Sequence, residues 1–422
     1  MMIWPRPKDP DSARQVDRAL EIARQLCRIG YPSYLIGGAV RDSILEIPTL
    51  DVDICTSCPA DIIRESLPEA KPWGPRRYSV FRVVTELGEI EIAHFRKELD
   101  YDGRHCVIQL VDNFEEDVHR RDFTVNAIAV NPDTLEVIDL VGGFADISAR
   151  VIRAIGEPAI RFKEDRLRML RAVRFAAKLG FRMENATLSA ITLEGSGIKS
   201  LSAERIRNEL SAIVSGPHPG RGMLIAHELG LWEHLFPERA DDPQSRGWER
   251  KLSTAERAAQ AGLDKTVMWA LFLLPAGEPE EEDILAVADA IRRLKFPKRA
   301  GQRILELCKA VLYAKNFADI PLRIAIEIAD APYLESLREL VYIRDPNDDF
   351  ETELARRFPM LDKPPFLTGE ALKKAIAGIA GNEVRRRLIA LRGAELSGKI
   401  RSAEEARAFL ADKPRHHQRT RL

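Results

Sequence analysis

The pattern of apolar residues changes once along this 422-residue chain, near residue 150, and that change limits the architecture. Before it, short runs with strand-like alternation are mixed with amphipathic stretches. After it, apolar residues recur at helical spacing almost without interruption. The pattern predicts an α+β N-terminal head followed by all-α domains. A chain of this length needs more than one core. The breaks between cores are expected at Gly142-Gly143, Ser215 to Gly220, Pro275 to Pro279 and Lys363-Pro364-Pro365.

Within the head, a helix is expected over 12–29, with Val16, Leu20, Ala23 and Cys27 on one side. Tyr34 to Ile36 reads as a strand that enters Gly37-Gly38, and Ala39 to Leu45 as the helix that follows. Asp51 to Ile54 is a further strand. Tyr78 to Glu86 and Glu89 to Phe95 form a hairpin through Leu87-Gly88, and Glu136 to Leu140 adds a last short strand, so the sheet is small and mixed.

The chemistry starts from Asp51 and Asp53. Two residues apart on a strand, they point to one face while Val52 and Ile54 point to the other. Carboxylates held that close repel unless a cation lies between them, and hard oxygen donors suit magnesium. The same alternation puts Glu91 on one face of its strand, opposite to Ile90 and Ile92, which makes it the candidate third ligand. Such a trio can hold two metal ions for an in-line displacement at phosphorus.

Gly37-Gly38-Ala39-Val40-Arg41-Asp42 supplies glycines, a helix start and a cation, the parts that hold a triphosphate. Arg120-Arg121-Asp122-Phe123-Thr124 places a second basic site before an expected helical run; the plainer reading is a capping Asp among surface arginines. From Glu164 to Arg174, Asp165, Arg168, Arg171 and Arg174 recur every three residues and would wind around one side of a helix. A carboxylate accepts from an exocyclic amino group, which C and A both carry, and a guanidinium donates to ring nitrogen or carbonyl. The plainer alternative is an intrahelical salt bridge on a basic surface.

Several classes are excluded. Hydrophobic residues make up 45% and charged residues 31%, a globular balance, and the formal net charge of −1 means that any nucleic-acid contact must be local. Candidate patches are Arg166 to Arg174, Arg385 to Arg387 and the tail from Lys413 to Arg421. The first residues offer no signal-peptide core, and the apolar stretch Val267 to Leu274 is too short to span a membrane, so it reads as a buried helix. Five scattered cysteines argue against a disulfide framework and for a reducing cytoplasm, with Cys55 and Cys58 an incidental CxxC. His227-Glu228 lacks the second histidine of a zinc protease, since position 231 is Leu, and no Walker-type phosphate loop or His-Asp dipeptide occurs.

In order and spacing, LIGGAVRD (35–42), DVDI (51–54), EIAHFR (91–96), RRDFTVNAIA (120–129), DLVGGFADI (139–147) and RFKEDRLRMLRAVRFAAKLGF (161–181) resemble the bacterial class II tRNA nucleotidyltransferase and poly(A) polymerase family. The likeness extends through residues 201–222. It thins until 367–378 and 396–409, which resemble the tail of CCA-adding members more than that of poly(A) polymerases.

This resemblance implies a polymerase-β-like head over 1–150, a nucleotide-selecting neck over 151–215, a body over 216–345 and a tRNA-binding tail over 346–422. It implies Mg2+ on Asp51 and Asp53 with Glu91 assisting, and nucleotide contacts from Gly38, Arg41, Arg121, Asp165, Arg168, Arg171 and Arg174. The Asp165 and Arg168 pair would act as an amino-acid template for C and A. The partners implied are tRNA, CTP and ATP, with no membrane and a monomer or homodimer. Members that add only CC lack a flexible segment after the third carboxylate strand, and Lys97 to Cys106 retains it, although Arg104-His105-Cys106 stands where the family has Pro after the basic pair. The alternatives left open are a CC-adding, A-adding or poly(A)-adding relative, a small-molecule nucleotidyltransferase and a silent RNA-binding module.

Overall fold

The computed structural model describes residues 2–101, 106–237, 246–275, 277–314, 331–344, 352, 363–368, 370–372, 382–396 and 398–411. By contacts, the chain divides into a first unit, Met1–Ile213 with Arg221–Pro237, and a second, Val214–Gly220 with Glu238–Leu422. Residues 102–105 of the expected flexible segment, the basic tail from Lys413 and residues 373–378 of the tail motif lie outside the described residues.

The first unit begins with α1 (Pro10–Arg28). Its N-terminus is capped by the Asp9 side chain, which accepts from Ser12 N at 2.8 Å, and Pro10 occupies the first turn, where its missing N–H costs nothing. Val16, Leu20 and Ala23 face the core, and Cys27 is half-buried. Next come β1 (Ser33–Ile36), α2 (Gly38–Ile44), β2 (Val52–Thr56), α3 (Ala60–Ser66), β3 (Lys71–Pro72), β4 (Val80–Val84), β5 (Glu89–His94), β6 (Arg96–Tyr101), β7 (Cys106–Leu110) and α4 (Phe114–His119). After a 3₁₀ turn at Thr124–Asn126 follow β8 (Ala129–Val130), β9 (Val137–Ile138), α5 (Gly143–Ala149), β10 (Val151–Ile152), α6 (Pro158–Glu164), α7 (Leu167–Leu179), β11 (Arg182–Met183), α8 (Asn185–Glu194) and α9 (Ala203–Val214).

The main sheet has seven strands in the order β3-β4-β5-β2-β1-β8-β9. It is mixed as expected, because β2 and β5 run parallel while its other pairs are antiparallel. Val52, Ile54, Ile90 and Ile92 are fully buried on one face. Toward the far ends of the same strands the opposite face is also covered, by the cluster of Ile36, Cys55, Phe95, Val118 and Ala127.

One expectation is corrected and one refined. The helical run after Thr124 is only the 3₁₀ turn, because Thr124 Oγ1 is drawn to Asp146 at 2.7 Å and the Asn126 amide to Asp122 at 3.2 Å, and the chain then enters β8. The region read as almost wholly helical after 150 is so among the described residues, with one parallel ladder, β10 with β11, at its start. Left-handed Gly180 ends α7 and turns the chain back alongside β10. Gly143, at the predicted break, is required by packing, since a Cβ there would lie 2.2 Å from Thr124 O.

The described part of the second unit is helical, with helices Arg246–Gln260, Lys265–Leu273, Glu281–Arg293, Lys298–Ala314, Ala331–Arg344, Asn382–Leu396 and Ala403–Ala411. Val267 to Leu273 are all buried, as the sequence suggests, and Trp269 packs edge-on against Phe272 and Phe296 at 5.3 and 4.9 Å. Leu367, Leu372, Leu391, Ile400 and Leu410 form a separate small core. Among the described residues no helix is long and apolar enough to cross a membrane.

Candidate active site

Cross-strand register brings the site's charges into one row. Lys71 opposes Arg82 in the β3–β4 pair, Arg82 opposes Glu91 in β4–β5, and Glu91 opposes Asp53 in the parallel β5–β2 pair. Opposed residues project to the same face with Cβ atoms about 5 Å apart, so Glu91 and Asp53 are immediate neighbours. Asp51 stands one residue before β2. It and Asp53 are exposed while Val52 and Ile54 are buried, the alternation predicted for them.

Ile36 flanks Asp53 on its other side, and the chain then leaves β1 through Gly37. Gly37 has φ of 88°, and a Cβ there would sit 3.1 Å from Asp53 Oδ2 and 3.9 Å from Arg121 Nη1. The position therefore excludes side chains twice, by backbone conformation and by the closeness of the carboxylate. Gly38 opens α2 at this turn.

Arg121 is fixed by the buried Asp117, with Nη2 donating to Oδ2 at 3.0 Å. Burial works against its charge, but Asp117 first, then Cys55 and Asp53, raise its pKa above the ordinary guanidinium value. Arg41 is almost fully buried instead of facing solvent. Its Nε donates to Asp42 Oδ1 at 2.7 Å, Nη1 donates to Asn126 Oδ1, and the guanidinium lies 5.3 Å from the Phe175 ring centre. Its Nη2 would lie 3.7 Å from a Cβ at Gly38, so it packs against the glycine turn.

Although Asp53 reaches solvent, its carboxyl is pushed up to about 6. The protein packed around it contributes most, then Glu91 and Asp51, against the pull of Arg121 and Arg41. Excess carboxylate charge of this kind fits a divalent cation. Among the described residues no three Asp, Glu, His or Cys side chains converge closely enough to enclose a metal. A donor set of one or two carboxylates, completed by water and triphosphate oxygens, is the set magnesium favours.

The expected Asp-Arg row is divided. Asp165 lies outside α7 with extended backbone, ends α6, and accepts from Leu167 N at 3.0 Å and from Arg205 Nη2 at 2.8 Å. It is therefore not a member of a helical row, because the chain turns between α6 and α7. Arg168 is buried and pairs with other carboxylates, Glu164 Oε2 at 2.9 Å and Glu98 Oε2 at 3.3 Å, while its Nη1 also reaches Arg161 O at 3.0 Å. Arg171 forks onto Asp122 at 2.8 and 2.5 Å, and Arg174 Nε pairs with Glu209 Oε2 at 2.8 Å over the Phe175 ring. Asp122 is held down to about 2, burial being outweighed by Arg171, the Asn126 amide and Phe123 N.

Sequence reasoning missed Asp117, Glu98, Glu209 and Arg82, and gave Asp122 no part beyond the plainer reading of a capping residue. Asp117 and Asp122 flank the Arg120-Arg121 pair, which was an available signal. Nothing local marks Glu98 or Glu209, whose partners are distant in the chain, whereas Arg82 meets Glu89 and Glu91 across the predicted hairpin, once its register is known.

Residues 33–153 match the Poly A polymerase head domain family, and residues 180–242 match the family described as the probable RNA and SrmB-binding site of polymerase A. The CCA-adding enzyme of Bacillus cytotoxicus is 35% identical over 306 residues, 72% of this chain and 73% of that protein. That of Geobacillus thermodenitrificans is 32% identical over 92% of this chain and 94% of its own. The crystal structure of the Bacillus stearothermophilus CCA-adding enzyme in complex with CTP superposes with a TM-score of 0.68 at 29% identity, covering 94% of this chain and 97% of that one. With relatives matched along nearly their whole length and the head-domain family recognised over the glycine turn and the carboxylate strands, the chain belongs to the family of CCA-adding enzymes.

Proposed function

We propose that this protein is a tRNA nucleotidyltransferase that adds the 3′-terminal CCA to tRNA from CTP and ATP without a nucleic-acid template. The observation that carries the reading is the pairing of Asp53 with Glu91 beside the Gly37 turn and Arg121, in a chain whose relatives are CCA-adding enzymes along their length.

Asp51 and Asp53 would hold the divalent cation, Mg2+ by their donor chemistry, which when bound supplies charge neutralisation at phosphorus and activation of the tRNA 3′ hydroxyl. Glu91, beside Asp53 in the sheet, would assist that pair as the third carboxylate of the site. Gly38 and Arg121, with Arg41 packed against the turn, form the side that takes the triphosphate. The 3′ hydroxyl attacks the α-phosphorus, the bond to the β-phosphate oxygen breaks, and pyrophosphate leaves. Asp165, Arg168, Arg171 and Arg174 form the base-selecting side. Because Asp165 already holds Arg205 and Arg168 holds Glu164 and Glu98, a base edge must share or replace those partners. Division of the chain into head (1–150), neck (151–215), body (216–345) and tail (346–422) belongs to the same proposal.

The test uses purified protein, Mg2+ and tRNA lacking its last three, two or one nucleotides, with CTP and ATP given separately and together. Completion of CCA on all three is expected. A stop after CC, or extension only of tRNA ending in CC, would assign a single-specificity relative instead, and no extension of any would remove the RNA reading.

A further inference from the structure

We propose that Arg82, braced by Trp73, is a positioning residue that fixes the Glu91 carboxylate for nucleotidyl transfer; this rests on the reading that Glu91 belongs to the reaction centre. In the charged row Lys71–Arg82–Glu91–Asp53, Arg82 is the cation next to the carboxylates. Its Nη1 pairs with Glu89 Oε2 at 2.7 Å and its Nη2 lies 3.8 Å from Glu91 Oε2. Its Cζ lies 3.7 Å from the centre of the Trp73 indole. The Trp73 backbone is tied to the neighbouring strand, its N donating to Val80 O at 2.9 Å, and its ring, 53% exposed, lies against the guanidinium.

Arg82 Nε is buried and has no hydrogen-bond partner. The guanidinium plane is therefore set by the indole face and the two glutamates together, a placement that a planar cation can take and an ammonium cannot. Glu91 has the opposite problem. Its side chain is 40% exposed, and free rotation of that carboxylate would take it out of line with Asp53. Among the described residues Arg82 is the cation that Glu91 pairs with. A small misplacement of a group at the reacting centre can lower the rate by up to about a hundredfold, so restraint of one exposed carboxylate is enough to matter. With one face on Trp73 and both ends of its fork directed at carboxylates, Arg82 is committed to Glu91 and Glu89 and does not point outward as a phosphate ligand would.

The experiment compares wild type, R82Q, R82K, E91Q and R82Q/E91Q, measuring kcat and the KM for CTP and for tRNA lacking CCA, with thermal unfolding as a check on folding. R82Q should lower kcat roughly tenfold with both KM values within about twofold, and R82K should recover part of the loss. In the E91Q background, removal of Arg82 should have no further effect, because Arg82 acts only through Glu91. Wild-type rates for R82Q beside a slow E91Q would overturn the proposal while leaving the role of Glu91 intact. A raised KM for tRNA at unchanged kcat would replace positioning by direct RNA contact, and losses that multiply in the double variant would show action independent of Glu91. A fully active E91Q would remove the reading of Glu91 and this inference with it. If R82Q does not fold, R82K, which keeps the charge without the planar fit, and W73L, which keeps the guanidinium without its indole support, carry the comparison with E91Q, each with a smaller loss of kcat expected.

Discussion

The carboxyl of Asp53 is pushed up to about 6 because its surroundings and its neighbours Glu91 and Asp51 all disfavour its charge, and Arg121 and Arg41 offset only part of this. A side chain kept under such repulsion does little for the fold by itself, and a bound cation relieves the cost. Asp53→Ala should therefore leave thermal unfolding unchanged or slightly raised. It should reduce nucleotide addition on the order of 10³-fold or more, since charge neutralisation at phosphorus contributes several kcal/mol. tRNA affinity by gel shift should stay within about threefold, and retained turnover would remove the assignment of Asp53 to the reaction centre. The alternation around Asp51 and Asp53 was legible in the sequence because it is a local property of one strand. The neighbour that crowds Asp53 was not, because Glu91 lies beside it only through the register of two strands far apart in the chain.

At the scale of elements, α7 is joined to the rest of the first unit by its arginines. Arg171 reaches Asp122 between α4 and the 3₁₀ turn, Arg168 reaches Glu98 on β6, and Arg174 reaches Glu209 on α9. Asp122, ordinarily near 3.8 and here about 2, stabilises the folded state wherever it is ionised. A depressed carboxylate contributes fully above its unfolded pKa and loses that contribution as pH falls through the folded one. Wild type should exceed D122N by about 2 kcal/mol above pH 4, and the gap should close between about pH 4 and pH 2 in urea unfolding measured across pH. A gap independent of pH would mean that the Arg171 pair is not its source. Arg168→Ala should widen the choice among the four nucleoside triphosphates more than it raises the KM for CTP, and should also lower stability by stripping Glu164 and Glu98 of a cation. Unchanged selectivity would take Arg168 out of the base-selecting set. The three-residue spacing of the arginines is visible in the sequence and α7 keeps it. What it does not disclose is that Asp165 falls outside the helix, or that each arginine is already paired.

Across the whole molecule, the separation of a sheet-bearing head from helical segments follows from the change in hydrophobic period, which needs no knowledge of contacts. So do the buried helix at 265–273 and the hairpin of β4 and β5. The product-length assay on shortened tRNAs belongs to this scale, because it tests the head and the proposed base-selecting role of α7 together. By itself the sequence determined which residues alternate, where the chain must turn at Gly37 and Gly142, and which side chains carry charge, for these depend on neighbours in the chain. Only the tertiary structure decided the order β3-β4-β5-β2, which builds the row Lys71–Arg82–Glu91–Asp53, and the burial of Arg41 and Arg168. A slip of one residue in the β2–β5 pair would turn Glu91 to the opposite face without altering either strand's local pattern. The physical reason is that register is fixed by packing between distant segments, and local preference does not encode it.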